Sequence, residues 1–185
     1  MERAGLKVDV YQGEQVTIDL LNNIGGYGLI ILRVHSTVYV KYGFLYLFST
    51  EKYSRTKYVY EQLQGAFKEA YTFDESEGPY FALRADLFGS ENGLVGSTII
   101  LMGCNGTNSE HMINKLFERG VKAIIAWNGY VDLEYTDKVT LNLLKTVYEE
   151  GLDFPEAVEK IMKNMGLDPV WKSKLEYLAK PIPNS

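Results

Sequence analysis

Two aliphatic runs leave this chain few architectures. The stretch "YGLIILRVH", residues 27 to 35, follows the breaker pair Gly25 and Gly26, and a second run, "GSTIILMGC", spans 96 to 104. Neither alternates apolar with polar side chains, so each suits a strand covered on both faces, as in a parallel sheet. A third run, "GVKAIIAWNG", covers 120 to 129. Between the second and third, "NSEHMINKLFERG" sets Met112, Ile113, Leu116 and Phe117 at helical spacing, with Asn108 or Ser109 as N-cap and Gly120 as the stop. The result is a strand, helix, strand unit.

Two further helices follow. "TDKVTLNLLKTVYEEG" carries Val139, Leu143, Leu144 and Val147 on one face and closes on Gly151. "DFPEAVEKIMKNMG" opens with Asp153 and Glu156 in capping-box spacing and with Pro155 in its first turn, then stops at Gly166. Alternating strands and helices predict an α/β fold with a mostly parallel sheet. The middle, about residues 37 to 95, differs: "TVYVKYGFLYLFSTEKY" alternates like a β-hairpin, with aromatics between Lys41, Lys52, Arg55 and Lys57. An antiparallel excursion with one wet face is the expectation there. Interleaved tyrosines and cations also suit base stacking, which leaves a nucleic-acid or ligand-binding flavodoxin-like domain as a third reading.

The opening "ERAGLKVDVYQGEQVTIDLLNNIGGYG" reads as a helix end, a strand, and a helix beginning near Thr17. In an α/β sheet such a piece is normally preceded by a strand, so the expectation is a fold lacking its first strand, as a fragment or as a short version of a longer fold. Residues 1–180 read as one domain and 181–185, "PIPNS", as a disordered tail.

A net charge of -5 gives no overall reason to bind nucleic acid or an anionic membrane. No apolar run reaches the roughly 18 residues of a membrane span, and the N-terminus lacks a secretory apolar core. One cysteine allows no internal disulfide, so a cytoplasmic protein is expected. Two histidines and one cysteine without ligand spacing predict no metal site. Neither a phosphate loop nor a Gly-x-Ser-x-Gly elbow occurs.

Parallel strands share a direction, so the runs ending in His35 and Cys104 are expected to emerge at one rim, where active sites of open α/β sheets lie. A thiol is a useful nucleophile only beside a base or cation, and His35 can supply one. Read alone, Cys104 is a small buried hydrophobe and His35 a structural histidine; together at matched strand ends they read as a pair. His111, in the first turn of a helix, reads as a surface residue.

At these residues the chain resembles a family. "YGLIILRVHS" followed by "STIILMGCNG" looks like the strand-His and strand-Cys blocks of the caspase-like cysteine peptidases, the group of caspases, gingipains, clostripain, separase and CHAT domains. "GVKAIIAWNGYVDLEYTDKVTLNLLKTVYEEGLDFPEAV" is similar to the CHAT block of a tryptophan-ended strand, an aspartate and a helix. The resemblance covers about residues 17 to 165 and implies a three-layer α/β/α sandwich. It implies a cysteine endopeptidase without cofactor, acting on a peptide or protein substrate, with Cys104 as nucleophile and His35 handling protons. It implies an oxyanion hole of backbone N–H groups at Cys104 and Ser36, although Ser36 stands where the family has glycine. Asp137 falls where basic-specific members bind a Lys or Arg side chain and is favoured over Asp132 for that role; read alone, an aspartate at a helix start is first a cap or dipole partner. Trp127, at a strand end, reads first as a core residue and otherwise as a pocket wall. The Ser36 departure and the missing first strand favour the alternative, a catalytically silent module that binds a protein partner.

Overall fold

The computed structural model describes residues 4–89 and 93–180, so the expected tail at 181–185 lies outside the described residues. In chain order the elements are α1 (Ile18–Asn23), β1 (Leu29–Leu32), β2 (Ser36–Tyr39), β3 (Phe44–Lys52), α2 (Val59–Leu63), β4 (Phe67–Ala70), β5 (Tyr80–Arg84), β6 (Thr98–Leu101), α3 (Glu110–Glu118), β7 (Ala123–Trp127), α4 (Leu133–Tyr148), α5 (Phe154–Met165) and β8 (Leu175–Ala179). They form two four-stranded sheets, ordered β1-β6-β7-β8 and β2-β3-β5-β4.

The first sheet is α/β in character. β1, β6 and β7 run parallel, and β8 closes it antiparallel to β7. Every residue of β6 and β7 is buried, as unalternating apolar strands require. On one face Ile100, Ile125 and Leu175 pack with Val139 and Leu143 of α4 and with Ala157 and Ile161 of α5. On the other, Ile30, Ile99 and Ile124 pack with Leu21 of α1 and Met112 and Leu116 of α3.

The middle of the chain is more than the expected hairpin. β2 and β3 form one, but β5 and β4 extend it into a four-stranded antiparallel sheet. Its inner face, with Leu45, Leu47, Phe81 and Leu83, joins the same core as β1 and β6. The alternation of β3 therefore records a face buried on the first sheet, not merely a surface ribbon.

Helix caps follow local chemistry. Thr17 and Ser109 accept N–H bonds from Leu20 and Met112, and Asp153 and Glu156 form the expected capping box. α4 starts earlier than the sequence pattern suggested: Asp132 is its N-cap, accepting from the Tyr135 N–H at 2.9 Å. That leaves Asp137 inside α4, free of a capping duty. Toward the N-terminus, residues 6–12 carry no strand pairing, contrary to the strand expected there.

Candidate functional site

The rim is set by register. Leu32 of β1 pairs with Leu101 of β6, and His35 and Cys104 each lie three residues beyond that rung. The ladder continues past it, with Met102 N–H donating to the Leu32 carbonyl at 2.9 Å. Next, the Ser36 hydroxyl donates to the Cys104 carbonyl at 2.6 Å. Gly103 makes this approach possible: a Cβ there would lie 2.5 Å from the Val34 carbonyl oxygen and closer still to Ser36 Oγ. The two segments carrying His35 and Cys104 are thus in direct contact.

Ser36 also has a backbone group to offer. Phe48 N–H donates to the His35 carbonyl at 2.9 Å, and Ser36 pairs with Leu47 one rung on. Antiparallel ladders alternate, so Ser36 sits at a non-hydrogen-bonded rung and its N–H points away from β3. β2 has no neighbour on that side within its sheet.

Side chains diverge where backbones meet. Successive residues of an extended strand face opposite ways, so Ser36 turns to Cys104 while the exposed His35 ring packs on Phe48, ring centroids 5.9 Å apart. The Cys104 thiol is half-buried against the cluster of Ile100, Trp127 and Val131. Burial raises its pKa, the Val131 backbone N–H pulls the other way, and the Asp168 carboxylate raises it again. Among the described residues no hydrogen bond joins imidazole to thiol. Burial and the Asp168 carboxylate favour the protonated thiol.

The residues expected to meet substrate have partners of their own. Asp137 receives a bidentate pair from Arg33, Nε to Oδ1 at 2.7 Å and Nη2 to Oδ2 at 2.8 Å. This guanidinium holds the Asp137 carboxyl below its ordinary range. The geometry is the one by which a carboxylate selects arginine, but the arginine comes from the chain itself. Asp132 is spent on the α4 cap. Trp127 is fully buried, and its indole N–H donates to Thr136 at 2.9 Å, so a substrate could reach it only by opening the core. His111 stands at the surface, its Nε2 3.2 Å from Asp86 and its ring against Phe44.

Sequence reasoning missed Asp168 and Arg33. Asp168 is 0% exposed and accepts three backbone N–H groups, from Asp132 at 2.8 Å, Val170 at 2.9 Å and Trp171 at 2.6 Å. It ties the loop between β7 and α4 to the loop between α5 and β8, and both back the thiol. The Cys104 loop joins this assembly through Asn105, which has φ 59 and donates its N–H to Gly129 at 2.8 Å. The signal for Asp168 was the Asp-Pro of "LDPVW", a turn-forming pair. Arg33 had no signal, since its partner is 104 residues away.

Part of the basic and aromatic middle is paired within the chain. Lys52 sits 3.8 Å from the Tyr80 ring centroid, Lys68 4.0 Å from Tyr39 and Lys57 4.6 Å from Tyr58. These contacts take up three of the cations, while Tyr42, Tyr60 and Phe73 in the same stretch remain exposed. Among the described residues, no three His, Cys, Asp or Glu side chains gather as a metal site, and no helix is long and apolar enough to cross a membrane. No protein-family model, curated protein or solved structure matches this chain significantly.

Proposed function

We propose that this chain is a caspase-like three-layer domain acting as a cysteine endopeptidase, with Cys104 as nucleophile and His35 as general base and acid. The observation that carries the reading is the shared rung: His35 and Cys104 leave Leu32 and Leu101 by equal steps, and the Ser36 hydroxyl fastens one segment to the other. Such placement at a sheet's carboxyl rim is where α/β enzymes do their chemistry.

The chemistry follows in order. His35 rotates off Phe48 and takes the thiol proton, and the Cys104 sulfur attacks the scissile carbonyl carbon. The carbonyl π pair moves to oxygen, held by the N–H groups of Ser36 and Cys104. Such donors contribute roughly 2.7–4 kcal/mol each. Collapse expels the amine, which takes the proton from imidazolium. Water, deprotonated by His35, then hydrolyses the thioester and restores the thiol. Asp137 receives a basic substrate side chain when Arg33 withdraws, while Asp132 stays on the α4 cap and Trp127 in the core. No cofactor is needed.

A set of fluorogenic peptides with Arg, Lys or Asp before the scissile bond tests the reading. The expected result is hydrolysis of at least one by the native chain and of none by Cys104→Ala or His35→Ala. Equal rates for the native chain and Cys104→Ala would remove the enzyme.

One observation favours a second reading, a silent module on the same fold that binds a protein partner. The thiol faces Val131 and Asp168 while the imidazole faces Phe48. A peptidyl chloromethyl ketone separates the two: a peptidase is labelled at Cys104 in a His35-dependent way, and a silent module is not.

A further inference from the structure

One edge of the first sheet is unpaired among the described residues. β1 is its outer strand. Thr98 N–H donates to the Gly28 carbonyl and Met102 N–H to the Leu32 carbonyl, both at 2.9 Å. Residues 28, 30 and 32 therefore face β6, and by the strand period the N–H and C=O groups of Leu29 and Ile31 face the open edge. Natural sheets guard such edges with lysine, proline or a bulge. "LIIL" has none of these.

This edge borders a cavity of about 360 Å³. Its floor is apolar, with Val16, Leu20 and Ile24 from α1 and its surroundings, and its far bank is residues 7–11. That bank is anchored, since the Tyr27 hydroxyl donates to Asp9 at 3.0 Å and meets the Tyr11 hydroxyl at 3.1 Å. Residues 7–11 are unpaired although they carry the strand-like pattern Lys-Val-Asp-Val-Tyr. An outward row of backbone donors and acceptors, an apolar floor and an anchored second bank describe a slot for one strand. A small apolar ligand would leave the Leu29 and Ile31 backbone groups unpaired, which is costly in an apolar recess.

We propose that this slot binds an extended, alternately apolar segment of another polypeptide, which pairs with β1 through Leu29 and Ile31 and buries its apolar side chains on α1. Main-chain bonds give such strand addition its affinity, and the floor selects the inward side chains. About four residues match the length of β1 at about 3.3 Å per residue. The proposal is independent of the thiol and does not need a peptidase.

The probe is the acetylated peptide Thr-Val-Thr-Val-Thr-Lys-Lys, titrated into the intact chain while amide hydrogen exchange is followed. Saturable slowing of at least about tenfold at Leu29 and Ile31 is expected. The slowing is unchanged in Cys104→Ala, absent with a peptide N-methylated on its β1-facing amides, and weakened by Val8→Arg, which puts a long charged side chain into the cavity lining. Unchanged exchange at millimolar peptide overturns the proposal. So does slowing that survives N-methylation. Edge amides already protected in a concentration-dependent dimer overturn it too, by giving the edge to a second copy.

Discussion

Ser36 Oγ donates to the carbonyl of Cys104 at 2.6 Å, across 68 residues of sequence. This bond joins the segment carrying His35 to the segment carrying the chain's one thiol. Gly103 lets the two approach. Gly103→Ala would force a methyl group against the Val34 carbonyl and the Ser36 hydroxyl, so the segments must part. A destabilisation of about 1–3 kcal/mol is expected from such overpacking, seen as a lower urea midpoint, together with loss of His35-dependent labelling. Ser36→Ala removes only the hydroxyl and is expected to cost about 1 kcal/mol. A Gly103→Ala chain of native stability and labelling would show that the contact does not hold the rim together.

The resting thiol has its own signature. Burial and the Asp168 carboxylate raise the Cys104 pKa above the ordinary thiol value. Alkylation by iodoacetamide should therefore be slow at neutral pH and inflect above about 8.5, the unperturbed value. The sign for stability follows by linkage: the folded state holds its proton where the unfolded state has released it, so the thiol's contribution is full below about 8.5 and is lost as pH rises through the folded pKa. Urea midpoints of the native chain and Cys104→Ser between pH 7 and 10 check this. An alkylation inflection below 7 in the unliganded chain contradicts it.

Arg33 and Asp137 make a clean pair of variants. The guanidinium occupies the carboxylate in the two-pronged geometry a substrate arginine would adopt. Arg33→Ala is expected to raise kcat/KM for peptides with Lys or Arg before the scissile bond, and Asp137→Asn to abolish that preference. Both side chains are about half exposed, so either change should cost under about 1 kcal/mol of stability. The Asp137 pKa is lowered, hence the pair contributes above the unfolded carboxylate pKa of about 3.9 and is lost as pH falls through the folded value. Arg33→Ala should accordingly flatten the acid limb of the urea midpoint. Unchanged basic-peptide kinetics in both variants would make the pair purely a surface tie.

What could be read in advance follows the range of the forces involved. β1, β6 and β7 were legible because a strand buried on both faces needs an unbroken apolar run, which is local. The Asp153 cap was legible because a cap and its N–H partner lie three residues apart, and the same rule narrowed the α3 cap to Asn108 or Ser109, of which Ser109 serves. The strand expected near residues 6–12 did not pair, because a strand needs a neighbour and its pattern alone supplies none. The middle sheet was half legible: alternation gave β2 and β3, but β5 joins β3 across a long connection that periodicity does not record. At the site, equal distances past two strand ends gave His35 and Cys104 a common rim. Which way each side chain turns depends on Phe48 and Val131, and those contacts are tertiary.

Asp168 offers the sharpest test of how the thiol's surroundings are built. Its carboxylate is wholly buried and accepts N–H groups from Asp132, Val170 and Trp171. Ser173 adds a second tie between the same two loops by donating to the Tyr130 carbonyl at 2.6 Å. Asp168→Ala strands three buried donors at once, and a loss of about 3–5 kcal/mol is expected, since each unsatisfied group costs about 1–3 kcal/mol and the loops relax in part. Asp168→Asn keeps one acceptor oxygen and removes the negative charge, so it should cost less while lowering the Cys104 pKa. Urea midpoints and the pH profile of alkylation, measured on both variants, separate the two effects. If Asp168→Asn loses stability but leaves the alkylation profile in place, Asp168 only holds the loops and its charge does not reach the sulfur.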